Sequence, residues 1–169
     1  MKNAQRLLLC LPLLITLMAC KESAAKYTVG PNADLHGIVF GKKTLSNTDL
    51  TGANLTDSLL DSVDITGSLL TSADLTRATS NKDTILKRAN LDSAILVNAS
   101  MLATDFTGAS LNGTNLSVAK LAGANFTQAN MRGAVLSGAS LDDAIMKGAV
   151  LTAANLEGAK TEGVTGYNQ

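Results

Sequence analysis

A period of five residues governs most of this chain. Apolar residues recur at every fifth position in two blocks, and we call these residues centres. A helix repeats every 3.6 residues and a strand every two, so neither fits this spacing. The chain must turn a corner after every five residues. The centres are Leu35, Phe40, Leu45, Leu50, Leu55, Leu60, Ile65, Leu70 and Leu75, then Leu91, Leu96, Met101, Phe106, Leu111, Leu116, Leu121, Phe126, Met131, Leu136, Leu141, Met146, Leu151 and Leu156.

The positions around each centre are also patterned. The residue two before the centre is usually Ala in the second block, and the first block is more varied. Asn or Asp often comes just before the centre, and Gly often lies two after it. Four such sides would close one square coil, with the centre and the small residue pointing inward. Stacked coils would then pair their backbones about 4.8 Å apart, as neighbouring strands do.

The motif Ala-Asn/Asp-Leu-x-x resembles that of the pentapeptide repeat proteins. It is seen in Ala53-Asn54-Leu55 and Ala124-Asn125-Phe126, and the resemblance covers residues 33–160. It implies an all-β fold, a right-handed quadrilateral β-helix of about six coils and roughly 30 Å in length. Side chains that lie one coil apart should stack in the core. Expected stacks include Leu35 with Leu55 and Leu75, and Phe106 with Phe126 and Met146.

One segment breaks the frame. The spacing from Leu75 to Leu91 is one residue longer than three repeats require. Ser80 falls at a nominal centre and Asp83 at a nominal Ala position, and both are unfavourable in a dry core. We therefore expect a bulge or small loop within residues 77–88. Its basic residues suggest either an insertion that solvates itself or a contact loop for anionic lipid head groups or a partner. They are Arg77, Lys82, Lys87 and Arg88.

The start of the chain has the pattern of a secretory signal. Lys2 and Arg6 precede an apolar run over residues 7–18, and small Ala19 comes before Cys20. The run is shorter than the roughly 20 residues that a membrane-spanning helix needs. This pattern alone allows ordinary secretion, retention in the cytosol, or lipidation at Cys20. The next motif favours lipidation.

Residues 17–20, Leu-Met-Ala-Cys, resemble a bacterial lipobox. The resemblance implies cleavage before Cys20, lipidation of Cys20, and attachment to the membrane through more than one acyl chain. Lys21, rather than Asp, follows the cysteine, which resembles outer-membrane sorting facing the periplasm. The predicted organisation is a signal peptide over 1–19, a lipidated tether over 20–32, a β-helix over 33–160 and a C-terminal tail over 161–169.

Composition restricts the chemistry that this chain can perform. Fourteen basic residues balance fourteen acidic ones, and loss of Lys2 and Arg6 would leave a slight acidic excess, so we expect no nucleic-acid partner. Cys10 would leave with the signal and Cys20 would carry lipid, so no thiol remains. His36 is the sole histidine and should face outward. We expect no catalytic residue, no cofactor and no metal.

The sequence thus predicts a non-enzymatic, lipid-anchored envelope protein that acts as a structural or protein-interaction scaffold. The alternative is a cytosolic, gyrase-binding protein that mimics DNA, as some pentapeptide repeat proteins do. The export signal and the near-neutral charge argue against it. A monomer with its tail over the C-terminal end is favoured over a homodimer through that end. Apolar residues at outward positions are candidate contacts: Val39, Leu59, Leu69, Val135, Ile145 and Val150.

Overall fold

The computed structural model describes residues 27–166, which form a four-sided β-helix solenoid. Each repeat makes one side, and parallel bridges join each side to the corresponding side of the next coil. We number the sides from the first coil: side 1 contains Leu35, side 2 Phe40, side 3 Leu45 and side 4 Leu50. The first bridges on the four sides are Asp34 to Asn54, Val39 to Leu59, Thr44 to Asp64, and Asp49 to Leu69.

Extended strands are very short in this fold. Strand β1 is Thr79–Ser80 and strand β2 is Ser100–Met101, and the two pair in parallel. All other ladder contacts in the described part are single bridges, and residues 27–166 contain no helix. Such short pairing follows from the period, because two of every five residues are needed to turn the corner.

The corners explain the glycines of the repeat. At almost every corner the residue two after the centre has a positive φ, as at Gly52 with +67°. Glycine adopts this left-handed conformation without penalty, whereas a β-branched residue is strained there. Val118 nevertheless occupies such a corner with φ of +52°. A turn hydrogen bond closes each side, as between the Ala53 N–H and the Leu50 carbonyl at 3.0 Å.

The core is a dry stack of centres and small residues. Leu121 and Ala124 are fully buried, as are most centres and alanines along the rod. The predicted aromatic stack is present: the Phe106 and Phe126 rings lie 4.9 Å apart and 7° from parallel. One large and one small side chain per side therefore fill the interior.

Several small interior positions hold hydroxyl residues instead of alanine. Ser68 donates a hydrogen bond to the Leu45 carbonyl at 2.6 Å, and Thr114 donates to the Leu91 carbonyl at 2.7 Å. The carbonyl of a centre one coil earlier thus satisfies a hydroxyl that would otherwise be costly to bury. Ser58 occupies an equivalent position, but its buried hydroxyl has no hydrogen-bond partner among the described residues.

The irregularity amounts to one extra residue. Bridges join Leu59 to Thr79, Asp64 to Ile85, and Ile85 to Asp105, so the middle step is one residue longer than the steps on either side. The extra residue lies between Ser80 and the next buried centre, which is Leu86. The regular frame thus resumes one repeat earlier than Leu91, where the sequence placed it.

Polar side chains accommodate this bulge. Ser80 is buried, as its nominal centre position required, and its hydroxyl lies 2.6 Å from the hydroxyl of Thr104. Thr84 occupies the interior position that alanine usually holds, two residues before the centre Leu86. Its hydroxyl donates a hydrogen bond to the Leu60 carbonyl at 2.8 Å. Asp83, which the uninterrupted frame places inside, is exposed instead. The extra residue moves the charged group outward and leaves only hydroxyls in the core.

Both ends of the described rod extend beyond the predicted repeat. Residues 27–32 were assigned to the tether, yet Tyr27 and Val29 pack against the core and the Asn32 N–H joins the ladder. At the other end the predicted tail begins at residue 161, but Thr165 still bridges to Ile145. The predicted β-helix is therefore present and longer than the sequence indicated.

Candidate functional site

The Asn and Asp residues before the centres serve the corners. Asp74 Oδ1 accepts the backbone N–H of Thr76 at 2.9 Å, and Asp64 Oδ1 accepts that of Thr66 at 2.9 Å. The hydroxyl and then the N–H of Thr66 hold the pKa of Asp64 below its usual value. These short polar side chains thus cap turns, as they do in Asx turns generally. One oxygen of each of these carboxylates is therefore engaged by its own corner.

A polar cluster lies on side 1 and its corner, near the N-terminal end. His36 Nδ1 lies 2.8 Å from Thr56 Oγ1 and 3.7 Å from Asp57 Oδ2. Thr56 Oγ1 donates to Asn54 Oδ1 at 2.7 Å, and the Asn54 amide donates to Asp34 at 3.0 Å. His36 and Asp34 belong to the first coil and their partners to the second, so the stacking of coils brings them together.

The directions of these bonds determine what the cluster can do. The Thr56 hydroxyl donates to Asn54 Oδ1, so its single proton is directed away from His36. A nucleophile–histidine–acid relay also needs both ring nitrogens, one for the nucleophile and one for the acid. Here the same nitrogen, Nδ1 of His36, faces both Thr56 and Asp57. The arrangement stabilises neighbouring coils and lacks the geometry of a catalytic relay.

Asp57 is held more strongly by Arg77 than by His36. The Arg77 guanidinium donates twice to the carboxylate, with Nε to Oδ1 at 2.7 Å and Nη2 to Oδ2 at 2.6 Å. This hydrogen bonding lowers the pKa of Asp57 and raises that of Arg77. The pair spans two coils along one corner, immediately before the bulge.

A second ion pair follows the bulge. Lys87 Nζ lies 3.1 Å from Asp105 Oδ2 in the next coil. Burial raises the pKa of Asp105, but hydrogen bonds from Thr107 and Lys87 outweigh it, so the pKa lies below its usual value. One ion pair thus connects the coil with the extra residue to the coil before it, and another connects it to the coil after it.

The four basic residues of the irregular segment, which a contact loop would present together, do not form one patch. Arg77 lies at the corner after side 1, Lys82 at the corner after side 2, and Lys87 and Arg88 at the corner after side 3. Two of the four are engaged by carboxylates of neighbouring coils. The structure therefore spreads these charges over three corners of a single coil. Cys20, the predicted lipidation site, lies outside the described residues.

Sequence reasoning overlooked the His36 cluster. His36 was treated alone, although Thr56, Asp57 and Arg77 follow it at intervals of about one coil. The coil length was enough to predict their proximity. The signal was present in the period, but it required comparing positions between coils as well as within a repeat.

Two kinds of feature were not found among residues 27–166: a side-chain cluster that could bind a metal ion, and a membrane-spanning helix. Within residues 27–166, no group of three or more His, Cys, Asp or Glu side chains is placed to hold a metal ion. The same residues include no helix long and apolar enough to cross a membrane.

The two ends of the rod differ. Tyr27 packs edge-on against Phe40 at the N-terminal end, with ring centroids 5.7 Å apart. At the C-terminal end the interior residues of the last coil are only partly buried and surround an apolar opening. The opening is lined by Leu141, Met146, Leu151, Leu156, Thr161 and Val164.

The repeats of this chain are similar to those of known proteins. A family model for pentapeptide repeats, in eight copies, matches residues 31–67, 44–77, 84–121 and 119–158. No curated protein showed significant similarity. Among solved structures, similarity extends to 33 chains.

Three of these structures show the level of sequence identity and of structural similarity. HetL of the cyanobacterium Nostoc sp. Strain PCC 7120, involved in heterocyst differentiation regulation, is 26% identical over 80% of this chain and 83% of its own, with a TM-score of 0.34. A pentapeptide repeat protein from the thylakoid lumen of Arabidopsis thaliana is 28% identical over 70% of this chain and 64% of its own, with a TM-score of 0.40. QnrB1, a plasmid-mediated fluoroquinolone resistance protein, is 20% identical over 80% of this chain and 74% of its own, with a TM-score of 0.38.

The family match runs from residue 31 to residue 158, across both blocks of repeats, and is interrupted at the bulge between residues 77 and 84. It agrees with the ladder between successive coils and with the alternation of large and small residues in the core. The chain belongs to the pentapeptide repeat family.

Proposed function

We propose that this protein is a non-enzymatic, lipid-anchored scaffold of a bacterial envelope. It is a right-handed rod of about six coils, held through Cys20 at the outer membrane and facing the periplasm. The observation that supports this most is the relation of the rod to the sequence before it. Tyr27 packs against the core at the N-terminal end of the rod and lies only seven residues after Cys20 in the sequence, so lipidation there would attach the rod by that end.

The filled interior also supports a scaffold. Enzymes usually bind their substrates in a concave pocket that a few polar groups line. Here the centres and alanines occupy the interior, and the opening at the C-terminal end has an apolar lining. The polar cluster at His36 supports the same conclusion, because its bonds connect coils and do not activate a nucleophile.

The outward surface is suited to contact with another protein. Its shape is rigid because ladder and turn hydrogen bonds recur in each repeat. Large apolar side chains stand out from it at separate places, including Leu69 at 45%, Leu102 at 44% and Ile145 at 40% exposure. These exposed positions, on different sides of the rod, are where a probe would face an envelope partner.

In-cell photo-crosslinking tests this proposal. A photoreactive amino acid is placed singly at Leu69 on side 4, at Ile145 on side 3, and at Leu102 in the corner after side 2. We expect adducts with envelope proteins, and we expect them to disappear when each site is combined with Cys20→Ser, which removes the anchor. The same adducts in Cys20→Ser cells would contradict an anchored scaffold. Adducts with gyrase subunits would instead support the cytosolic alternative.

A further inference from the structure

The chain enters the rod beside side 2. Tyr27 packs edge-on against Phe40, the first centre of side 2, and its hydroxyl accepts a hydrogen bond from Lys43 Nζ at 2.8 Å. The Lys43 ammonium also lies 4.8 Å from the centre of the tyrosine ring. These contacts fix the point of entry at one corner of the first coil. The seven residues 20–26 span at most about 25 Å, so a lipid on Cys20 would keep this corner close to the membrane.

An exposed apolar surface lies at that corner. Val39 is 56% exposed, the highest value among the exposed large hydrophobic residues of the described chain. It immediately precedes Phe40, and on side 2 it bridges to Leu59 of the second coil, which is partly exposed. Two stacked apolar side chains therefore face outward next to the entry point of the tether.

The adjoining corner is basic and differs from the regular corners. Here Gly41, directly after the centre, has the positive φ, at +61°, and its carbonyl accepts the Lys43 N–H at 2.8 Å. Lys42 is exposed at the tip of this turn. Phe40 is thus followed by a tight turn that presents one lysine to solvent and places the next over Tyr27.

The carboxylates of the first coil lie elsewhere. Asp34 is on side 1 and Asp49 on side 4, whereas Lys42 and Lys43 follow side 2. Asp61 lies after side 2 in the second coil, and Lys82 and Asp83 share a corner in the third. The basic character is therefore concentrated in the first coil, where the surface would be nearest the head groups. Lysines near an anionic membrane surface are attracted to it.

We propose that this corner, formed by Val39, Leu59, Lys42 and Lys43, rests on the surface of the anchoring membrane and binds its anionic lipid head groups. The inference relies on the proposed lipid anchor at Cys20. A tether of this length gives a high effective concentration of the corner at the surface, so a weak contact is sufficient. The consequence is a fixed tilt of the rod, with side 2 of the first coil towards the lipid and the C-terminal end projecting away.

Site-specific quenching in vesicles tests the contact. The mature chain has no cysteine other than Cys20, which lipidation would occupy, so Val39→Cys provides one labelling site. Ile145→Cys is the matched control, since it is also exposed and lies far along the rod. Each purified lipidated variant is labelled with an environment-sensitive dye and reconstituted in vesicles of phosphatidylethanolamine and phosphatidylglycerol that contain nitroxide-labelled lipid.

We expect quenching at residue 39 to be at least about threefold stronger than at residue 145, as for a group at the head-group boundary. Lys42→Gln should reduce that difference, and so should vesicles without anionic lipid. Equal quenching at both sites, in protein that floats with the vesicles, would overturn the contact and leave the anchor intact. If the parent protein, without a cysteine substitution or dye, does not float with the vesicles, the anchor itself is overturned.

Discussion

Arg77 and Asp57 occupy the same corner of successive coils and form a two-point ion pair there. The pair joins the coil that carries the extra residue to the coil before it. The sequence left Arg77 either in a self-solvating insertion or in a contact loop, and the structure gives it an intramolecular partner.

Replacing Arg77 should therefore lower stability through the loss of this pair. We expect Arg77→Met to decrease Tm slightly at low ionic strength, and we expect the difference to shrink in 1 M salt, where the screening length is about 3 Å. Thermal melts of both proteins in both buffers measure this. Arg88→Met is the control for loss of a nearby positive charge, and an equal, salt-independent decrease in both variants would contradict the pairing.

The core should tolerate neither a void nor an added side chain. Leu121→Ala should cost about 2–5 kcal/mol, because the closed coil cannot collapse into the cavity. Ala124→Leu should cost about 1–3 kcal/mol, because the small position has no room for more atoms. Urea unfolding measures both losses. Lys120→Ala, at an exposed neighbouring position, should leave stability nearly unchanged. Unchanged unfolding for both core variants would be inconsistent with the packed square coil.

Two serines at equivalent interior positions should respond differently to the same change. Ser68→Ala should cost about 1 kcal/mol, because the hydroxyl donates to Leu45 and accepts the Thr48 N–H at 3.1 Å. Ser58→Ala should be neutral or stabilising, because that buried hydroxyl has no partner among the described residues. Parallel urea titrations compare them. A larger loss for Ser58→Ala than for Ser68→Ala would reverse the assignment.

A substitution at the Val118 corner should increase the stability of the protein. A β-branched residue is strained at positive φ, whereas Asn adopts this conformation readily. Val118→Asn should therefore stabilise the protein by about 1 kcal/mol. Val135→Asn, which replaces an outward valine with ordinary φ, controls for the change in polarity. Gains of the same size at both positions would show that backbone strain is not the cause.

Acid should destabilise the rod below about pH 4. Hydrogen bonds from Arg77 lower the pKa of Asp57, and those of Thr66 lower the pKa of Asp64. At Asp105 burial raises the pKa, but the hydrogen bonds from Thr107 and Lys87 lower it by more, so the net pKa lies below its usual value. A carboxyl whose folded pKa is depressed stabilises the fold above its unfolded pKa, near 3.8, and loses that contribution as pH falls through the folded pKa.

Thermal melts at pH 7, 5 and 3 measure this dependence. We expect similar Tm values at pH 7 and 5 and a lower value at pH 3. Asp105→Asn should be less stable than the parent at pH 7 and should lose less between pH 5 and 3. A Tm that rises on acidification would contradict the assigned direction of these pKa shifts.

Much of the fold could be predicted because one rule repeats. Centres such as Leu121 and small residues such as Ala124 specify both the coil length and the direction of each side chain. The bulge could not be placed so well. Ser80 and Thr84 are polar residues at interior positions, and only the hydrogen bonds to Thr104 and the Leu60 carbonyl reveal that they fit there.

The functional surface was harder to predict for a related reason. The charge on Arg77 and Lys87 was visible in the sequence, but its neutralisation by Asp57 and Asp105 depends on which coils are adjacent. Neither pair crosses the extra residue, so the regular coil length was enough to find both once positions were compared between coils. The packing of Tyr27 on Phe40 was missed because Tyr27 precedes the first repeat.

The lipid anchor at one end of the rod is the central claim, and labelling of Cys20 tests it most directly. Tagged wild-type and Cys20→Ser proteins are expressed with labelled palmitate, and the cells are separated into membrane and soluble fractions. The account predicts labelled wild-type protein in the membrane fraction and unlabelled variant protein. Unlabelled wild-type protein recovered from the cytosol would contradict it.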